Sequence, residues 1–422
     1  MSRMRAALTQ PISPSQHKVI RLHLALIPVY AWALFVWSAY AVDISPPGRL
    51  DRSGHIKGHD FVHDYVLGQI ALARSPGELY DFEAQAARTD RIVPDYEDRY
   101  IPVHGPQLSV LFAPFALLPY LQAMALWLVL SAGCYLLCCY LCWKRCPVLR
   151  QYRWASLVLV LGYPALYLLI AFGATSVLAL LSVTAAYLSL KSGHRWLAGF
   201  ALGMLFYKPH LGVILPFVFV YGREWRMVAG AATAVLLQLT AAGAYYGTEA
   251  LRTYFTVASG LGKVAVDLEP FPLQMQSLRS FFSVLVPGPE WALGFYVVTA
   301  TAFVAIAAVT WKSSAPLELR FAILLFCLLL VDPHVNAYDL IVTAPAFILT
   351  SGWALERGER RPLFWALLYL SFYLPAMTFV VAITHVQVSV LAVAILVCVL
   401  ATSARVPNPG ASVDTPRREK FA

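Results

Sequence analysis

About 12 apolar runs, separated by short polar breaks, divide this 422-residue chain and restrict it to one fold class, an all-α polytopic membrane protein. Hydrocarbon leaves no backbone N–H or C=O unpaired, so each run has to be helical. The runs cover approximately 22–42, 123–143, 154–170, 175–190, 196–207, 211–222, 227–246, 291–311, 319–331, 338–352, 362–382 and 386–403. Several are too short to cross alone at about 1.5 Å per residue. The pairs 196–207 with 211–222 and 319–331 with 338–352 therefore read as broken or re-entrant helices, interrupted at Lys208-Pro-His210 and Asp332-Pro-His334. Such breaks are tolerated where they line a cavity. A composition 59% hydrophobic and 13% charged agrees.

The first run is long enough to span, and no small-residue cleavage site follows it, so it is not read as a cleaved signal peptide. Residues 1–403 are expected to form a single membrane-embedded domain, with 404–422 a disordered cytoplasmic tail.

The net charge of +9 does not indicate nucleic acid, because the basic residues sit in short loops between apolar runs. With a cytoplasmic N-terminus, 21 of the 32 Lys and Arg fall on the inner side and 17 of the 23 acids on the outer side. The positive-inside rule then places both termini in the cytoplasm of a cell inner membrane, with the loops 43–106 and 247–290 periplasmic. The first of these loops carries 11 acids and is too long for a connector. It holds a helix candidate at Asp60–Ala73, stopped by Ser75-Pro-Gly77. An amphipathic piece follows at Glu83–Arg91, suited to a membrane interface. Val103–Pro119 reads as a short helix leading into the next span.

Polar residues that the composition does not explain gather at the outer ends of these runs. They include Asp60, Asp64, His59, His63, His104, Lys208, His210, Arg279, Asp332, His334, Asp339 and His385, and they point to one outward-facing cavity. Asp60 and Asp64 are one helical turn apart. Asp60 suits a general base or, equally in kind, an N-cap. Asp64 suits a residue that orients substrate, or a solvated loop charge. Lys208 and Arg279 suit phosphate binding or snorkelling to headgroups. His334 suits a bond to a phosphate oxygen or a purely structural role. His63, His104, His210 and Asp339 are expected to line the same substrate site.

His55, His59 and His63 would share a metal face only if their helix began early, and Gly58 opposes that. Cys134, Cys138 and Cys142 share a helix face but read as packing residues. No metal or cofactor is expected, and the sequence contains no nucleotide loop, zincin motif or nucleophile elbow.

Several short segments occur in a telling order: Asp60-Phe-Val-His-Asp-Tyr65, Glu78-Leu-Tyr-Asp81 and Val110-Leu-Phe-Ala-Pro-Phe-Ala-Leu-Leu-Pro119 with Leu126-Trp127. Phe172-Gly173, Leu197-Ala-Gly-Phe-Ala-Leu-Gly203 and Lys208-Pro-His-Leu-Gly212 follow. Gln276-Ser-Leu-Arg279, Asp332-Pro-His334 and Tyr338-Asp-Leu340 complete the set. In these the chain resembles glycosyltransferase family 87, the polyprenyl-phosphate-sugar-dependent enzymes that include mannosyltransferases. The resemblance implies a C-type glycosyltransferase fold with a helical first periplasmic loop. It implies that Asp60 activates the acceptor, that His334 helps hold the lipid phosphate or acceptor, and that Arg279 and Lys208 neutralise phosphate. It also implies inversion at the sugar without a metal.

Three positions depart from the family's pattern. His104-Gly-Pro106 stands for Tyr-Pro-Pro, Gly173-Ala-Thr-Ser176 for Gly-Gln-x-Asn, and Met275 for Asn. The expected partners are a polyprenyl-phosphate sugar donor, a glycolipid or glycan acceptor and membrane lipids. The competing readings are a transporter or flippase of lipid-linked sugars and a non-enzymatic assembly subunit. A transport path would need polar groups through its whole length.

Overall fold

The computed structural model describes residues 26–94, 100–264, 275–373 and 378–404. The tail beyond Ala404 and the first residues of the opening run lie outside them. The described residues are almost all helical and contain no strand. In chain order the helices are α1 Ile27–Asp43, α2 His59–Ala73, α3 Phe82–Ile92, α4 Pro106–Phe112, α5 Tyr120–Lys144, α6 Arg153–Leu161 and α7 Pro164–Phe172. Next come α8 Ser176–Lys191, α9 Arg195–Gly203, α10 Leu215–Tyr221, α11 Trp225–Tyr246, α12 Thr248–Val264 and α13 Leu278–Leu285. The chain continues with α14 Pro289–Lys312, α15 Leu317–Val331, α16 Ala344–Glu356, α17 Pro362–Tyr373, α18 Thr378–Thr384 and α19 Val388–Ala404.

By length and composition, α5, the stretch Pro147–Phe172, α11 and α14 can each cross a membrane. They present large apolar side chains outward, such as Val129, Leu236 and Val298. An apolar outer surface of this kind suits lipid rather than water. In contrast, α15 is buried on every side from Phe321 to Val331. A helix apolar all round belongs in the centre of a bundle.

Small residues set the closest packing. A Cβ at Gly199 would lie 2.0 Å from the Met227 carbonyl oxygen, and one at Gly230 would lie 2.1 Å from that of Trp196. The Leu197–Gly203 segment thus lets α9 and α11 touch backbone to backbone.

Both expected breaks are present, and each has a proline as its cause. The residue before proline is pushed out of helical geometry. Lys208 precedes Pro209 and is non-helical (φ −127°, ψ 79°) between the 3-10 turns Met204–Tyr207 and Pro209–Gly212. Asp332 precedes Pro333 and ends α15 (φ −57°, ψ 127°), before the 3-10 turn Asp339–Thr343 leads into α16. The residue at each break, Lys208 and Asp332, has an ionisable side chain.

The first large loop is a packed layer. Gly58, left-handed at φ +67°, starts α2 and sits against Gly173, also left-handed, which ends α7. Gly58 Cα lies 3.5 Å from where a Cβ on Gly173 would stand, so a side chain at Gly173 would push on the start of α2. Trp127 Nε1 donates to the Gly173 carbonyl at 2.8 Å. Phe61 is fully buried among Phe112, Phe115, Tyr120 and Trp127. These contacts fix the end of α2 that carries Asp60.

Candidate active site

Helix α2 begins at His59, so Asp60 lies within its first turn and Gly58, not Asp60, is the N-cap. The capping reading of Asp60 is thereby set aside. His55 precedes the helix, exposed beside Asp51, and the His55–His59–His63 face does not form. Asp60 keeps a fifth of its side chain exposed, whereas Asp64, one turn on, is buried. The solvated-charge reading of Asp64 is set aside as well. His59 Nδ1 lies 3.5 Å from Asp60 Oδ1 and 2.7 Å from the Tyr100 hydroxyl.

The two proline breaks bring their charges to this helix end. Lys208 Nζ donates to Asp339 Oδ1 at 3.1 Å, and the Ser176 hydroxyl donates to the same oxygen. The other Asp339 oxygen accepts from the Asn336 backbone N–H at 3.0 Å. Lys208 also lies over the Tyr338 ring, 5.3 Å from its centroid, and Tyr338 adjoins Asp60. Nearby, His210 Nδ1 is 2.9 and 3.0 Å from the two oxygens of fully buried Asp332. The His334 backbone N–H donates to Asp332 at 2.8 Å, and its ring meets that of His210 edge to face. His63 Nε2 and His104 Nδ1 share a hydrogen bond of 3.1 Å.

Burial and mutual charge set the protonation of this group. Burial pushes the Asp64 carboxyl well above the usual carboxylate range; the charge of Asp60 adds to this and that of Lys208 opposes it. Burial lowers His63 to about 4, against the pull of Asp60. It also lowers His104, helped by His63 and Lys208. That pair is therefore neutral near pH 7. For Lys208, burial acts downward, but the carboxylates of Asp339 and Asp60 outweigh it and raise the ammonium above its usual range. The environment separates two carboxylates one turn apart: burial pushes Asp64 towards its acid form, while Asp60 keeps contact with solvent.

The structure thus assembles Asp60, Asp64, His63, His104, Lys208, His210, His334 and Asp339 at one end of the bundle. Arg279 is half-buried on the first turn of α13. The Gln276 backbone N–H donates to the Val335 carbonyl at 2.9 Å, which sets that turn against the same loop. His385 is exposed in a separate turn at φ +53°. Among the described residues, no three His, Cys, Asp or Glu are placed to hold a metal ion. Sequence reasoning gave no role to Tyr100, Tyr338 or Ser176. Ser176 did carry a signal, because it lies in one of the three departures from the family pattern.

A family model described as Glycosyltransferase family 87 matches residues 103–333, more than half of the chain. No curated protein and no solved structure matches it. The match takes in His104, Lys208, His210, Arg279 and Asp332 and stops just short of His334, while Asp60 and Asp64 precede it. The chain belongs to glycosyltransferase family 87, and it is a membrane glycosyltransferase.

Proposed function

We propose that this glycosyltransferase moves a hexose, mannose in the first instance, from a polyprenyl-phosphate donor to a hydroxyl of a lipid-linked or surface glycan. The observation that carries the reading is the unequal pair on α2. One carboxylate with solvent access stands one turn from a buried one whose pKa is raised, within a cluster that also holds the Lys208–Asp339 pair.

In this reading Asp60 takes the proton from the acceptor hydroxyl as its oxygen attacks the anomeric carbon. The bond from that carbon to the phosphate oxygen breaks on the opposite side, so the configuration inverts. The polyprenyl phosphate leaves with the electron pair. His334 and Arg279 hold the phosphate as charge develops on it. Lys208 is already matched by Asp339, so it contributes a fixed field and position rather than a free charge. Asp64, which burial pushes towards its protonated form, does not serve as the base. His63, His104 and His210 shape the sugar and acceptor pocket. Two departures from the family pattern, His104 and Ser176, fall inside the network, which suggests that the sugar or acceptor is where this protein differs.

The split of basic residues supports an inner membrane, with both termini cytoplasmic and the polar cluster on the periplasmic face. A cysteine placed at Ser53 should then react with an impermeant reagent added outside intact cells; reaction only after permeabilisation reverses the assignment.

Purified protein, given polyprenyl-phosphate-mannose and a glycan acceptor, should release polyprenyl phosphate and lengthen the acceptor without added metal. If it instead moves the lipid-linked sugar across a vesicle bilayer and leaves the sugar–phosphate bond intact, the transport reading replaces this one.

A further inference from the structure

A second site lies away from the polar cluster. A cavity of about 750 Å³ runs between α5, the turn Pro147–Tyr152, α6, α16 and α17. One end is formed by Tyr163, Ala344 and Phe347, just past the Asp339–Thr343 turn. The other is formed by Tyr152, Leu355 and Arg360. The cavity therefore follows the whole of α16, about 20 Å for 13 residues at about 1.5 Å each. Its walls are mainly apolar and aromatic, and its size is that of a small-molecule site.

Its rim differs from its walls. Arg360 is exposed and makes no ion pair among the described residues. Exposed Lys144, Arg145, Arg150 and Arg153 lie on the adjoining segment. Of the acids there, Glu359 is paired with Arg361 at 2.7 Å, and Glu356 is exposed at the end of α16. Near this rim Trp143 lines the cavity and keeps a buried indole N–H with no acceptor. A buried donor left without an acceptor is costly, so native structures normally supply one.

A long apolar channel with a cationic rim and an unused donor has the complement of one lipid. We propose that this cavity holds an acyl chain of an anionic membrane phospholipid, with its phosphate at Arg360 and an ester or phosphate oxygen accepting from Trp143. The site is separate from the transfer chemistry and does not depend on which sugar is moved. Surface Lys and Arg attract anionic headgroups, whereas a zwitterionic lipid gains little from them.

The test is native mass spectrometry of the full-length protein released from nanodiscs of mixed phosphatidylglycerol and phosphatidylethanolamine. The wild type should keep one phosphatidylglycerol in preference to phosphatidylethanolamine. Arg360→Glu should cut that preference roughly fivefold or more. Ser351→Phe, which places a ring in the channel, should remove both lipids while Tm stays close to wild type. Wild-type protein that keeps no lipid, or an Arg360→Glu variant with the same selectivity, overturns the proposal. An equimolar challenge of the wild type with a long-chain prenyl phosphate tests the source of the tail. Displacement of the phospholipid by the prenyl lipid also overturns it. This last measurement needs no variant, so a failure of Ser351→Phe to fold does not shield the idea.

Discussion

The two ends of the α15–α16 pair treat polarity in opposite ways. Where α15 gives way to α16, polar side chains stand in mutual contact around two buried carboxyl groups: Asp332 with His210, and Asp339 with Lys208 and Ser176. At the far end of α16 the walls of the cavity are mainly apolar, and the cations are exposed. The first arrangement is preorganised, because its dipoles are oriented before any substrate arrives. The second is a receptacle whose shape selects and whose rim attracts. Polar groups inside a membrane bundle are expensive, and their concentration at this end is the ground for proposing that the chemistry is done there.

The sharpest way to break this comparison is Asp60→Asn. The amide preserves size but cannot take the acceptor's proton. Transfer should fall by roughly 10²–10⁴, the usual loss for a general base. Donor binding and Tm should hold, since Asp60 is partly exposed and does not cap α2. Near-normal initial rates at saturating donor would remove Asp60 from the chemistry. The next largest effect is expected at Lys208. Removing one partner of a buried ion pair strands the other, typically at a cost of about 3–5 kcal/mol. Lys208→Met should therefore lower stability strongly, and adding Asp339→Asn should recover most of the loss. A denaturation cycle over the two single variants and the double variant measures this; additive losses would mean that the 3.1 Å contact carries no coupling.

Arg279 offers a milder contrast with Lys208. It is half-buried on the first turn of α13, whereas Lys208 is nearly buried at the centre of the network and bonded to Asp339. Arg279→Ala should raise the donor KM roughly tenfold, about the value of one charged hydrogen bond, while Tm changes little. An unchanged KM would make Arg279 a headgroup anchor.

Much of the helix layout was legible in the sequence. Apolar runs set the helices, and the prolines after Lys208 and Asp332 announced both breaks. The convergence of eight polar residues was also legible, since each lay in the first large loop or at the end or break of a run. The pairing was not. Lys208 and Asp339 are 131 positions apart, and nothing local reveals that a cation nominated for phosphate is already neutralised. The possible metal face of His55, His59 and His63 was lost to a single left-handed glycine, Gly58. Tyr100 reaches His59 from a loop with no periodic pattern to mark it. The cavity was invisible for the same reason: Trp143, Tyr152, Ser351 and Arg360 come from separate segments, and none is unusual alone.

The last expected effect concerns the pH dependence set by Asp64, and its sign can be worked out. Its folded-state pKa lies well above the ordinary carboxylate value of 3.8. The folded protein therefore holds this proton more tightly than the unfolded chain does. The stability linked to it is fully present below pH 3.8 and is lost as pH rises through the raised value. His63 works the other way. Its folded value near 4 is below the ordinary 6.5, so its contribution grows as pH rises between the two. In the wild type these slopes oppose each other from about pH 4 to 6.5. Asp64→Asn removes one of them, because an amide does not titrate. The variant should gain stability relative to wild type as pH rises from 4 towards 7, by at most about 1.4 kcal/mol per pH unit. Tm measured for both proteins across that range checks it. A constant difference between the two curves would mean that Asp64 titrates alike in the folded and unfolded chain, and the division of labour between the two carboxylates would then lose its physical basis.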